Sequence, residues 1–133
     1  MITLKTTNRE LVELINGLFN VQELQGVRFG LVVSKNIRIL QQELKDLEEA
    51  SKATPEFISL SQQVNTLGED LEAVEQLERD NMELVEGRRT QLEEIDKMMA
   101  EECEVRLHEV AEDILPESIS AMQITNIDKL ITE

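Results

Sequence analysis

The sequence predicts a mainly α fold: a helical hairpin plus a long coiled-coil-like helix, with a small two-stranded β patch formed by the termini. Three observations carry this reading. Apolar residues recur at spacings of three and four over residues 8–24. Nearly pure helix formers fill residues 56–102. Apolar and polar residues alternate near both ends, in "ITLK" and in "CEVRLH".

Taken in order, Ile2 and Leu4 suit an edge strand. Thr7 and Glu10 then stand at capping-box spacing, each able to close an orphan backbone N–H of a new helix. That helix carries the stripe Leu11, Leu14, Ile15, Leu18 and Phe19, and Gly26 is its expected stop. A second helix is expected over 27–52. Its first half is apolar almost all round, with Val27, Phe29, Leu31, Val32, Val33, Ile37, Ile39 and Leu40. It is therefore buried, or covered by a partner chain, although its β-branched residues also suit a strand. Thr54 and Pro55 mark the next boundary, a cap followed by a residue suited to the first helical position. The expected blocks are thus 1–55, a strand and two helices; 56–102, the long helix or a hairpin; and 103–133, a strand and a short helix. All belong to one expected domain.

Within 56–102 a heptad places Phe57, Val64, Leu71, Glu78, Val85, Leu92 and Met99 at one core position. The other holds Leu60, Leu67, Val74, Asn81, Arg88, Ile95 and Glu102. Glu78, Asn81 and Arg88 form polar layers in the seam, the kind of residue that fixes the register of an oligomer. One straight helix over this stretch would run about 70 Å at about 1.5 Å per residue, too far for the rest of the chain to cover. It either folds back near Gly87 or pairs with a copy of itself, and a homodimer or higher oligomer is the expectation. Arg88 is expected to meet Glu78 or a glutamate of a neighbouring helix, or else water or a ligand, because an unpaired arginine in a seam is costly. In the final block Cys103, Val105 and Leu107 alternate with polar residues, and this strand is expected to pair with residues 2–5. A turn at Leu115-Pro116-Glu117 and a helix from Ser118 or Ser120 through Leu130 complete the chain.

Composition narrows the function. There are 28 acids against 13 bases, a net charge of −15, and three Phe with no Trp or Tyr. Neither counterion release nor base stacking has the residues it needs, so direct nucleic-acid binding is not expected. The outer surface fits a basic protein partner, or serves solubility. The single cysteine, Cys103, allows no internal disulfide and points to a reducing cytoplasm. Neither a leader nor a membrane span is expected, because the longest apolar run is short. His108 is the only histidine, so "LHEVAED" is not a two-histidine zinc helix. The acidic runs lack the Asp/Asn/Gly loop that calcium uses. No phosphate-binding glycine loop and no nucleophile elbow is present. No catalytic residue, metal or cofactor is expected, and the chain reads as a non-enzyme.

One stretch breaks the acidic pattern. Residues 25–42, "QGVRFGLVVSKNIRILQQ", carry three bases and no acid, net +3, whereas residues 56–102 carry −10. On a helix Arg28 and Lys35 share a face and Arg38 lies three beyond Lys35, with Asn36 alongside. Arg28, Lys35, Asn36 and Arg38 are the candidate pocket for a small anion such as a phosphate, a nucleotide or a carboxylate cluster. The competing reading is an electrostatic lock, with the cations paired to acids of the same protein or of a second subunit.

"NRELVELINGLFNVQELQGVRFGLVVSKN" near the start and "EVRLHEVAEDILPESISAMQITNIDKLI" at the finish resemble a family of small acidic helical proteins encoded by tailed bacteriophages and prophages. The resemblance covers most of the chain as a diffuse pattern, and residues 56–102 look simpler than in relatives that carry an insertion. It implies a virus-encoded, non-enzymatic helical protein acting in the host cytoplasm or in the virion. It transfers no catalytic residue, and the family's Lys-Asn pair falls on Lys35 and Asn36. Three functions are then expected to compete. The first is sequestration of an anionic nucleotide signal of antiviral defence. The second is virion assembly, as a scaffold, chaperone or connector-associated protein. The third is an acidic mimic of DNA, which Arg79, Arg88, Arg89 and Lys97 weaken by interrupting the carboxylate array.

Overall fold

The computed structural model describes all residues from Met1 to Glu133. The chain divides into two compact units, Met1–Asp46 with Met99–Glu133, and Leu47–Met98.

In the terminal unit β1 (Ile2–Thr7) pairs antiparallel with β2 (Glu102–Leu107), from Ile2 opposite Leu107 to Thr7 opposite Glu102. This is the two-stranded patch expected of the termini. Its register puts Ile2 against Leu107 and Leu4 against Val105, so the apolar members of both strands share one face. Val105 and Leu107 are buried on it.

Helix α1 (Asn8–Val21) opens as expected at Thr7, whose Oγ1 accepts a hydrogen bond from the Glu10 N–H at 3.3 Å. The Glu10 carboxylate does not return the cap; it holds Lys129 Nζ at 2.9 Å. After α1, Gly26 adopts φ 139°, a conformation open to glycine, and α2 (Val27–Glu43) turns back to make the hairpin. Leu11, Leu14, Ile15, Leu18 and Val21 of α1 and Phe29, Val33, Ile37 and Leu40 of α2 are buried. The second helix stops earlier than its pattern suggests. It breaks at Leu44, and α3 (Lys45–Ser51) follows, so that Leu44 and Leu47 both reach buried positions.

Past β2 the chain forms β3 (Val110–Ala111), a 3-10 turn at Glu112–Ile114, α7 (Ala121–Asn126), a second 3-10 turn at Asp128–Leu130, and β4 (Ile131–Thr132). Helix α7 is capped by Ser120, one of the two expected starts, with a full capping box to Gln123, but ends well before Leu130. Strands β3 and β4 pair in parallel, a contact too short to show in a period-2 pattern. Ile127 and Leu130 complete the core, and Gly17 lets α7 lie close on α1: a Cβ there would sit 2.9 Å from the Asn126 carbonyl oxygen.

The middle unit takes the hairpin alternative rather than one straight helix, with its turn elsewhere than Gly87. It contains α4 (Pro55–Leu67), α5 (Leu71–Asp80) and α6 (Met82–Ala100, whose last residues pass into the terminal unit). The fold-back lies at Gly68–Asp70, and Gly87 sits inside α6. Gly68 ends α4 at φ 61°, and Asp70 then caps α5 by accepting from the Ala73 N–H at 3.2 Å. Helices α4 and α5 pack as a hairpin. Thr54 and Pro55 open α4 as expected, with Thr54 Oγ1 accepting from Phe57 N–H. No helix of the chain is long and apolar enough to cross a membrane.

Candidate docking face on the second helix

Helix α2 has two unlike sides. Phe29, Val33, Asn36, Ile37 and Leu40 fall at spacings of three and four and are buried. Val27, Arg28, Leu31, Ser34, Lys35 and Arg38 lie on the exposed side, with Val27 82% and Leu31 56% exposed. At about 100° per residue, Arg28, Leu31, Lys35 and Arg38 fall within a sector of about 80°.

The four residues expected to line one anion pocket are therefore divided. Arg28, Lys35 and Arg38 face outward together. Asn36 is 0% exposed and faces the core, where its Nδ2 donates to the His108 carbonyl at 2.8 Å and its Oδ1 accepts from the His108 N–H at 2.7 Å. A buried amide must find partners, and this one closes both polar groups of a single residue just past β2. Asn36 is a pin between α2 and the end of β2. His108 takes part through its backbone.

The lock expected of the cations is absent within the chain. Arg28, Lys35 and Arg38 make no bond to a carboxylate of their own protein, unlike Lys129 and Arg89, which hold Glu10 and Glu86. Nor does α2 itself contribute an acid before Glu43. The outer side of α2 is thus cationic, partly apolar and unpaired.

The polar layers of the expected coiled-coil seam take other roles. Asn81 ends α5, donating from Nδ2 to the Leu77 carbonyl at 2.9 Å. Glu78 is exposed and borders a cleft of about 220 Å³ with Phe57, Leu60, Val64 and Val85. Arg88 does not meet Glu78. Its Nη1 donates to the Ser51 carbonyl at 3.1 Å and to Gln91 Oε1 at 2.8 Å, and its guanidinium lies 5.9 Å from the Phe57 ring centre. Gln91 Nε2 donates to the carbonyls of Ala50 and Lys52 at 2.7 and 2.8 Å. Together they close three carbonyls at the C-terminal end of α3, the negative end of its dipole, which is a suitable place for a cation.

A second concavity, of about 590 Å³, is lined by Lys5, Thr6, Thr7, Glu10, Glu102, Cys103 and Glu104. Burial, with Glu43 and Glu10 nearby adding to it, pushes the Cys103 thiol above its ordinary value, the opposite of what a nucleophile needs. No cluster of three or more His, Cys, Asp or Glu side chains is placed to hold a metal ion.

Sequence reasoning placed the acid-free stretch on a helix but missed the exposure of Val27 and Leu31 and the role of Gln91. The first was legible in principle: the stripe from Phe29 to Leu40 defines an inner side, and Leu31 is not on it. The second left no sequence signal, because the carbonyls it closes lie far away in the chain. Comparisons with family models, with curated proteins and with solved structures found no match.

Proposed function

We propose that the chain is a non-enzymatic interaction protein of the helical assembly type, in keeping with the phage and prophage family its ends resemble. Its docking face is the outer side of α2, and its target is an acidic, partly apolar protein surface. One observation carries the reading: an acid-free helix face bears three unpaired cations beside two exposed aliphatic side chains in a chain of net charge −15. Exposed cations and apolar groups on one helix suit an amphipathic acidic helix, where apolar contact supplies affinity and charge supplies register.

Sequestration of a nucleotide draws less support from the same geometry. A phosphate site wants converging donors, and Asn36 is withdrawn into the core while the three cations spread along a helix surface. The two readings separate in one titration. A labelled helical peptide with Leu, Glu and Glu at positions i, i+4 and i+7 is titrated with the protein, followed by fluorescence anisotropy. ATP and a cyclic dinucleotide are tested alongside. Saturable peptide binding that R28E/K35E/R38E abolishes, with no binding of either nucleotide, is the expected result. Nucleotide binding that the same variant abolishes would overturn the proposal and restore the pocket.

A further inference from the structure

We infer that the acidic surface recognised by α2 is α5 of a second copy of this chain, an inference that rests on the docking face proposed above. The argument starts from spacing. Leu31, Lys35 and Arg38 stand at i, i+4 and i+7 on the outer side of α2. Leu71, Glu75 and Glu78 stand at i, i+4 and i+7 on α5, and all three are exposed, Leu71 by 72%. Both trios therefore form straight stripes of one apolar and two charged residues with matching rise, about 10 Å from first to last. Laid side by side, Leu31 meets Leu71, Lys35 meets Glu75 and Arg38 meets Glu78. Run in the opposite direction, Lys35 meets Glu78 and Arg38 meets Glu75, while Leu31 passes the end of α5 toward Met82, the first residue of α6, which is 47% exposed. Charge and apolar contact agree in either orientation.

Electrostatics disfavours the alternative, in which α5 pairs with α5 of another copy. Residues 56–102 carry −10, so two such surfaces repel, whereas residues 25–42 carry +3 and no acid. Packing gives α5 a reason to be covered. Neither α5 nor α6 has a fully buried residue, and Leu60 is the only one on α4. The middle helices therefore have apolar surface still to bury, which a second copy supplies. The contact joins unlike surfaces. It closes as a reciprocal pair or continues head to tail, and either way it uses the same two stripes.

The test is a charge swap read by sedimentation, with circular dichroism to verify folding. Wild-type protein is expected to assemble, with a dissociation constant that rises about tenfold or more as salt is raised. R28E/K35E/R38E alone and E75K/E78K alone are each expected to be folded monomers, because each has like charges on both stripes. Mixed together they are expected to assemble, since each then offers the sign the other lacks. Assembly of either variant alone, as strong as that of the wild type, would overturn the inference and assign the interface elsewhere. A wild-type monomer that still binds the acidic peptide would also overturn it, leaving the docking face intact. A monomer that binds no peptide would remove both.

Discussion

The terminal and middle units are built from similar helical sequence yet differ in how they are held. Fifteen of the seventeen buried hydrophobic residues lie in the terminal unit, and only Leu47 and Leu60 in the middle one. The terminal unit draws its core from segments distant in sequence: α1, α2, β2 and the last turns all contribute. The middle unit is a succession of helices whose apolar side chains are mostly half-covered. Helix propensity makes both units helical; only convergence of distant segments makes one of them dry.

The largest effect that sharpens this contrast is a core truncation. Phe29→Ala in the terminal unit is expected to cost about 3–5 kcal/mol, whereas Leu77→Ala in α5 is expected to cost about 1 kcal/mol, both read by urea denaturation. Equal costs would dissolve the distinction.

A step below comes the polar pin. Asn36→Ala leaves the N–H and carbonyl of His108 without partners and is expected to cost about 2–4 kcal/mol. Lys35→Ala, its neighbour on the outer side, is expected to change stability by less than about 0.5 kcal/mol. A destabilising Lys35→Ala with a neutral Asn36→Ala would reverse the two roles assigned on α2.

Glycines give opposite signs in the two units. Gly17→Ala places a Cβ 2.9 Å from the Asn126 carbonyl oxygen, a backbone atom that cannot swing aside, and is expected to cost about 1–3 kcal/mol. Gly87→Ala lies inside α6 with nothing within 4 Å of the added atom, and is expected to gain about 0.5–1 kcal/mol of helix stability. Thermal melts of both variants check the pair. A destabilising Gly87→Ala would mean that the chain turns there after all.

The smallest effect is a titration. Because the Cys103 thiol is held above its ordinary value, its alkylation by iodoacetamide is expected to keep rising with pH beyond the point where free cysteine levels off. The sign for stability follows. The folded state keeps its proton longer than the unfolded one, so this thiol's contribution is full below the free thiol's range and is lost as pH rises through the folded value. A levelling at or below the point for free cysteine would remove the burial argument.

Much of this architecture was legible from local chemistry. Leu11 to Phe19 announced α1, Thr54-Pro55 announced α4, and the alternation of Val105 and Leu107 announced the strand that meets Ile2 and Leu4. What was hidden lay where one periodicity runs across a turn. Leu60, Val64, Leu67, Leu71 and Val74 keep heptad spacing straight through Gly68, so the hairpin reads as one helix although "LGED" holds both its stop and its next cap. The candidate site was half legible for a related reason. Charge composition found the cationic stretch, but Asn36 falls on the same stripe as Phe29, Val33 and Leu40, and its place among apolar residues marks it as inward-facing. Arg88 could not be placed from sequence alone, because one of its two acceptors is the backbone carbonyl of Ser51, far off in the chain, which leaves no trace in residue identity.

The contrast between the two units, one closed by distant segments and one left with helices to cover, is tested most directly by residue-resolved amide hydrogen exchange. Amides at Leu14 to Leu18, Val33 to Leu40 and Val105 to Leu107 are expected to exchange only on global opening. Those at Val74, Leu77 and Leu84 are expected to exchange about a hundredfold faster or more, and to slow as protein concentration rises and copies cover α5. Equal protection in both units, unchanged by concentration, would contradict the account.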